Sequence, residues 1–242
     1  MHGERFTGKL SVLEKLPKGL RGPAFSALSA LAPTVSVKRI AEPIFLADPE
    51  EENLVYRLVC GAIDYGFALS VILLFWRLLA IIWVLVKTGS PGPGIFAQER
   101  VGKGGKVFTC YKFRSMAKDT KQAGTHEVSQ SSVTPIGNFI RKTKIDELPQ
   151  VWNILKGELS LVGPRPCLPV QTELVNERTK RGVLSVLPGI TGLAQIKDID
   201  MSDPMRLAKK DSEYNARRGL LLELKIILAT FTGKGRGDRV AK

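Results

Sequence analysis

The sequence predicts a small α+β protein, mostly helical, that one apolar helix holds at a membrane. Three observations carry this. From Gly66 to Val86 the chain is almost wholly apolar, about the twenty residues a helix needs to cross a hydrocarbon core. Residues 95–101 and 107–113 read as two strands of a β-hairpin, joined by the glycine-rich, cationic Gly102-Lys103-Gly104-Gly105-Lys106. The later stretches 146–157, 170–181 and 207–230 read as helices.

In chain order, residues 1–54 form a flexible extension rich in Gly, Pro, Ser and Lys, to which no role is assigned. Residues 55–90 form the membrane-anchoring helix, 91–232 the main folded domain and 233–242 a basic tail attracted to lipid. A buried core helix is the competing reading of the apolar run, disfavoured because so few other apolar segments exist to cover it. The same scarcity disfavours a polytopic protein. Arg77 lies near the middle of the run, where a guanidinium is costly unless it reaches head groups or a partner. Ser90-Pro91-Gly92-Pro93-Gly94 stops the helix. Residues 117–134 read as a polar mobile loop containing a solvated His126. Pro188-Gly-Ile-Thr-Gly-Leu-Ala-Gln195 reads as a turn followed by a short strand, and 207–230 reads as one amphipathic helix, at the membrane interface or on the core.

The formal net charge is +13, while residues 1–54 hold seven basic and seven acidic side chains. The positive field therefore belongs to the part carrying the apolar run, and it points to an anionic partner: nucleic acid, a phospholipid surface or a phosphorylated substrate. Cys60, Cys110 and Cys167 are odd in number and lack metal-type spacing. A disulfide framework or zinc site is not expected, and a reducing, cytoplasmic setting is. No signal peptide is visible.

Residues 139–166 are the organising stretch. Asp146 and Glu147 begin a short amphipathic helix, with Arg141, Lys142 and Lys144 upstream and Arg165 closing the stretch. Pro149 suits a first helical turn, Leu148, Val151, Trp152 and Leu155 follow at helical spacing, and Gly157 ends the helix. The helix dipole and the nearby cations are expected to keep both carboxylates ionised. Such a pair can hold a divalent metal together with phosphate oxygens, and one member can act as a nucleophile. The plainer reading is a helix start with favoured acids and a solvated basic rim.

Six words in order carry a resemblance. They are Tyr-Lys-Phe-Arg-Ser-Met (111–116), Ile-Arg-Lys-Thr (140–143), Asp-Glu-Leu-Pro-Gln (146–150), Asn-Ile-Leu-Lys-Gly (153–157), Leu-Val-Gly-Pro-Arg-Pro (161–166) and Pro-Gly-Ile-Thr-Gly-Leu-Ala-Gln (188–195). This set resembles the monotopic phosphoglycosyl transferases, the bacterial sugar transferases that start exopolysaccharide or O-antigen assembly on a polyprenol phosphate. The resemblance implies transfer of a sugar 1-phosphate from a UDP-sugar to undecaprenyl phosphate with release of UMP. Asp146 would attack the β-phosphorus and form a phosphosugar ester, and Glu147 would bind Mg²⁺. Arg141 and Arg165 are the phosphate clamps expected, with Lys112 and Arg114 adding to the same field and Gln195 bordering the nucleotide or sugar pocket.

The resemblance also implies a re-entrant membrane helix, contact with anionic lipid head groups, and an inner-membrane location with the catalytic domain on the cytoplasmic face. In the family a Ser-Pro pair bends that helix, whereas Trp76-Arg77 stands there in this chain. The usual Val-Asn-Gly-Arg continuation is replaced by Ile196-Lys197-Asp198-Ile199. The glucose or galactose assignment therefore does not carry over, and an N-acetylated or deoxyamino hexose stands beside it. The alternative function is a membrane-anchored basic protein that binds anionic lipid or nucleic acid without catalysis. That reading leaves the paired acids unexplained, because acids weaken polyanion binding, and no nucleic-acid platform is evident beyond residues 111–114.

Overall fold

The computed structural model describes residues 54–117, 120, 132–233 and 235. The expected extension up to residue 53, most of the loop with His126 and the tail beyond 235 lie outside the described residues. Those described are mostly helical, with one small hairpin and one long apolar helix.

That helix, α1, spans Leu54–Gly89. It is longer than the apolar run because no proline interrupts residues 54–65. Its 36 residues extend about 54 Å at the usual rise, against about 30 Å of hydrocarbon. One stripe faces inward. Ala68 and Val71 pack with Val151, Ile154 and Leu159, and Ile82 and Val86 pack with Phe113 and Ile140. Leu73 and Leu74, between the two clusters, are more than 70% exposed.

The N-terminal end of α1 is held by polar contacts. Tyr56 Oη donates to Glu223 Oε1 (2.8 Å), which also accepts from Tyr214 Oη (2.7 Å). The Leu161 N–H donates to Asp64 Oδ1 (2.8 Å). Burial pushes the Glu223 carboxyl up, and the two tyrosine hydroxyls oppose that by donating to its charged form.

After the Ser90–Gly94 break, β1 (Ile95–Val101) and β2 (Val107–Phe113) pair antiparallel from Ile95 with Phe113 to Val101 with Val107. Their tip is a single 3₁₀ turn, Lys103–Gly105, in which Gly104 and Gly105 take positive φ. Helix α2 (Pro135–Lys142) starts on Thr134, whose hydroxyl accepts from the Gly137 N–H (3.0 Å). A Cβ at Gly137 would strike the Ser115 carbonyl oxygen. This close approach seats α2 on the chain leaving β2.

The next element differs from the expected α-helix. Lys144 is left-handed (φ 58°) and turns the chain into a 3₁₀ stretch, Ile145–Gln150, which only then becomes α3, Val151–Leu155. Gly157 (φ 70°) ends it. Asn153, fully buried, ties α3 to the hairpin: it accepts from the Tyr111 N–H (3.1 Å) and donates to the Thr109 carbonyl (2.7 Å).

Strand β3 (Ser160–Val162) pairs parallel with β4 (Gly189–Thr191). The short strand expected within residues 188–195 is β4, with the turn after it rather than before, and a 3₁₀ turn, Gln195–Lys197, follows. Helix α4 covers Thr172–Lys180. The single helix expected over 207–230 is two, α5 (Pro204–Arg217) and α6 (Leu220–Phe231), because Arg218 and Gly219 adopt extended backbone between them.

Candidate active site

Asp146 and Glu147 lie on the 3₁₀ stretch, against β2 and below the loop that follows β3. Two cations converge on one oxygen: Lys112 Nζ lies 3.2 Å from Glu147 Oε1, and Arg165 Nη2 lies 2.6 Å from it. Both pairs are largely shielded from water, where a charge-assisted bond counts for more than at the surface. Arg141, on the last turn of α2, donates to Ser115 Oγ (3.4 Å) and stabilises the ionised form of Asp146 by its charge. Gln195 Nε2 donates to the Ile190 carbonyl (3.2 Å), which the Arg165 Nη1 also approaches (3.5 Å). The fold thus gathers Lys112, Arg141, Arg165 and Gln195 around the acidic pair.

Arg114 is the exception. Its Nη2 donates to the Val86 carbonyl (3.2 Å), the Ser90 carbonyl (2.7 Å) and Ser90 Oγ (2.8 Å), and its Nη1 to the Pro91 carbonyl. Strand alternation would align it with Lys112, but β2 stops at Phe113. The guanidinium instead satisfies carbonyls at the C-terminal end of α1, which carry partial negative charge. We expect Arg114→Ala to destabilise the protein by about 3 kcal/mol, since it strands several buried acceptors. Thermal unfolding checks this, and folded variant should keep the parental KM for its donor substrate.

The electrostatics of the pair also differ from expectation. The Asp146 carboxyl is pushed up to about 6, first by burial and then by the neighbouring Glu147 charge; Lys112, Arg141 and Arg165 pull it back without cancelling the rise. The dipole of a short 3₁₀ turn is weak, so loss of water dominates. Lys144, expected as part of the cationic rim, donates through Nζ to the Gly235 carbonyl (2.7 Å).

Three glycines let the loop that carries Arg165 meet the chain around β4. A Cβ at Gly189 would strike the Gly163 nitrogen, and one at Gly192 the Gly163 carbonyl oxygen. The two motif loops therefore touch backbone to backbone. The acidic pair offers hard carboxylate oxygens, the donor type Mg²⁺ takes. Among the described residues no group of three His, Cys, Asp or Glu side chains could hold a metal. The donor set suits an ion that draws its remaining ligands from phosphate oxygens and water rather than an all-protein cage.

An acidic pair, Asp146 buried and Glu147 partly exposed, ringed by cations and on a domain joined to a long apolar helix, is an arrangement able to take phosphate groups. Residues 55–235 match the bacterial sugar transferase family, and the chain belongs to it. It is 35% identical over 229 residues to the UDP-N-acetylgalactosamine-undecaprenyl-phosphate N-acetylgalactosaminephosphotransferase of Aeromonas hydrophila, covering 85% of this chain and 53% of that protein. It is 37% identical over 185 residues to the UDP-glucose:undecaprenyl-phosphate glucose-1-phosphate transferase of Escherichia coli, covering 73% and 40%. It is 42% identical over 153 residues to the galactosyl transferase CpsE of Streptococcus agalactiae, covering 57% and 34%. The chain thus spans about half or less of the length of these three relatives.

Proposed function

We propose that this chain transfers a sugar 1-phosphate from a UDP-sugar to undecaprenyl phosphate, releasing UMP, as the first membrane step of exopolysaccharide or O-antigen synthesis. One observation carries the reading: a buried Asp146 beside a partly exposed Glu147, with Lys112 and Arg165 on the same Glu147 oxygen. A binding surface for polyanions gains nothing from two acids at its centre. A phosphoryl-transfer site uses both charges.

In the first step a carboxylate oxygen of Asp146 attacks the β-phosphorus of the UDP-sugar. The bond from that phosphorus to the bridging oxygen breaks, and UMP leaves with the electron pair. In the second step a phosphate oxygen of undecaprenyl phosphate attacks the same phosphorus, the ester bond to Asp146 breaks, and the carboxylate is restored. Arg165 and Arg141 bind and orient the phosphates, with Lys112 and Gln195 adding to the pocket. Glu147, oriented by Lys112 and Arg165, would hold Mg²⁺. When bound, that ion offsets the repulsion between an anionic nucleophile and an anionic phosphorus.

The raised Asp146 carboxyl gives the site a pH dependence. A carboxyl titrating at about 6 is ionised above that pH and loses its nucleophilic form as pH falls through it. In the metal-free protein we expect the Asp146 carboxyl to become protonated as pH falls through about 6, read by NMR titration of the ¹³C-labelled carboxyl. A midpoint near 4, the ordinary carboxyl value, would contradict this.

For the membrane we propose that both ends of α1 stay on the cytoplasmic face of the inner membrane, as in a re-entrant helix, although Leu54–Gly89 runs as one helix with no break at Trp76-Arg77. Its contacts with the remainder of the chain support this, since they run from Tyr56 and Asp64 to Val86. A straight span would carry one of those ends away from the domain. Leu221, Leu224, Leu228 and Phe231 form an exposed stripe on α6 opposite the buried Glu223 and Ile226, which suits an interfacial helix among anionic head groups. UMP release by the full chain in nanodiscs, measured over UDP-glucose, UDP-galactose and UDP-N-acetylhexosamines with undecaprenyl phosphate and Mg²⁺, tests the function. Absence of UMP with every donor would overturn it.

A further inference from the structure

We propose that Arg178, held by Asp211, is a positioning residue that fixes Arg165 against Glu147. The inference rests on the function proposed above for that pair. Arg178 is 1% exposed and Asp211 2%, so neither can touch a substrate. The Arg178 Nε and Nη2 groups donate to Asp211 Oδ2 (3.0 and 2.7 Å), and its Nη1 donates to the Arg165 carbonyl (2.8 Å). Arg165 in turn reaches Glu147 through its own Nη2 (2.6 Å). A chain of bonds therefore runs from α5, through α4, to the acidic pair.

The loop around Arg165 shows what this link adds. Its carbonyls are taken one after another: Pro164 by the Gly189 N–H (3.0 Å), Pro166 by Arg100 Nη1 (3.0 Å) and Cys167 by the Val101 N–H (2.9 Å). The hairpin and β4 thus fix the residues on either side of Arg165. Its own carbonyl is held by α4, and Asp211 holds the guanidinium that does so. Stability alone does not account for a buried ion pair, because well-packed apolar residues of similar volume serve as well or better. The third bond, to Arg165, is one an apolar pair cannot make. Arginine suits the task because its planar fork binds two partners at fixed directions, which an ammonium does not.

The test uses the full chain in nanodiscs, with an Arg178→Met, Asp211→Leu double variant and a single Arg178→Lys variant. Both are expected to keep the parental unfolding temperature within a few degrees while kcat for UMP release falls about 10- to 100-fold and KM for the UDP-sugar changes little. With ¹⁵N-arginine labelling, the Arg165 Nε–H signal, assigned through Arg165→Lys, is expected to exchange slowly in the parent and quickly in both variants. Parental kcat in a folded variant would overturn the proposal, and so would a lower kcat with the Arg165 signal unchanged. If the double variant does not fold, Arg178→Lys decides by the same criteria. The labelled signal needs no substrate, so a parent that releases no UMP overturns the function proposed above while the role of Arg178 is still read.

Discussion

Asp146→Asn is expected to lower UMP release at least about 10³-fold while leaving the protein folded and bound to membranes. The amide has nearly the shape of the carboxylate but cannot form the ester to phosphorus. Asp146 is 9% exposed and lies among cations, so the neutral amide also removes a buried charge whose burial opposed ionisation. Folding should therefore be unchanged or slightly improved, which separates lost chemistry from lost structure. Single-turnover assays with the UDP-sugar alone sharpen the result. The parent should release about one equivalent of UMP in a burst and form a phosphosugar adduct detectable by intact mass, and the variant should do neither. Normal UMP release by purified Asp146→Asn protein would remove Asp146 from the nucleophile role.

The hairpin was legible in the sequence because two β-rich runs flank a tip that needs positive φ, and glycines supply it at 104 and 105. The long helix was legible from its apolar content, and the expected bounds of 55–90 lie within one residue of Leu54–Gly89. The site was legible as a set of words whose order matters more than any one of them. What stayed hidden depends on tertiary contact. Three-residue strands such as β3 and β4 are too short for a periodic signal, and they form because Gly163, Gly189 and Gly192 let two loops touch.

Arg114 misled because alternation along a strand says nothing of the residue just past its end. Arg178 was missed because it lies beside Glu177, Lys180 and Arg181 in a stretch that reads as a solvated helix. Only its 1% exposure sets it apart from them. Glu223 did leave a signal, a lone acid inside Leu220–Leu228. Two tyrosine hydroxyls answer it in the fold. The Asp146 carboxyl fell outside expectation for a related reason: charge neighbours can be counted along a sequence, but the loss of water around a side chain cannot.

Glu147→Gln is expected to cost about 10²- to 10³-fold in kcat, with a distinct signature in the metal dependence. Glu147 accepts from Lys112 and Arg165 on one oxygen, so its carboxylate orients two cations besides offering an oxygen to a divalent ion. Glutamine keeps an acceptor for those donors but loses the negative charge, leaving Lys112 and Arg165 without compensation in a shielded site. Two consequences follow with opposite signs. Attraction for the substrate phosphates rises, so KM for the UDP-sugar should stay level or fall. Affinity for Mg²⁺ drops, so the concentration needed for half-maximal rate should rise at least about tenfold, as expected when a site loses one of few anionic ligands. Chelation by EDTA should abolish release in the parent, and added Mg²⁺ should restore it. A Glu147→Gln variant with the parental Mg²⁺ dependence would mean that the metal, if one is used, is held elsewhere, and that Glu147 serves only to hold Arg165 and Lys112.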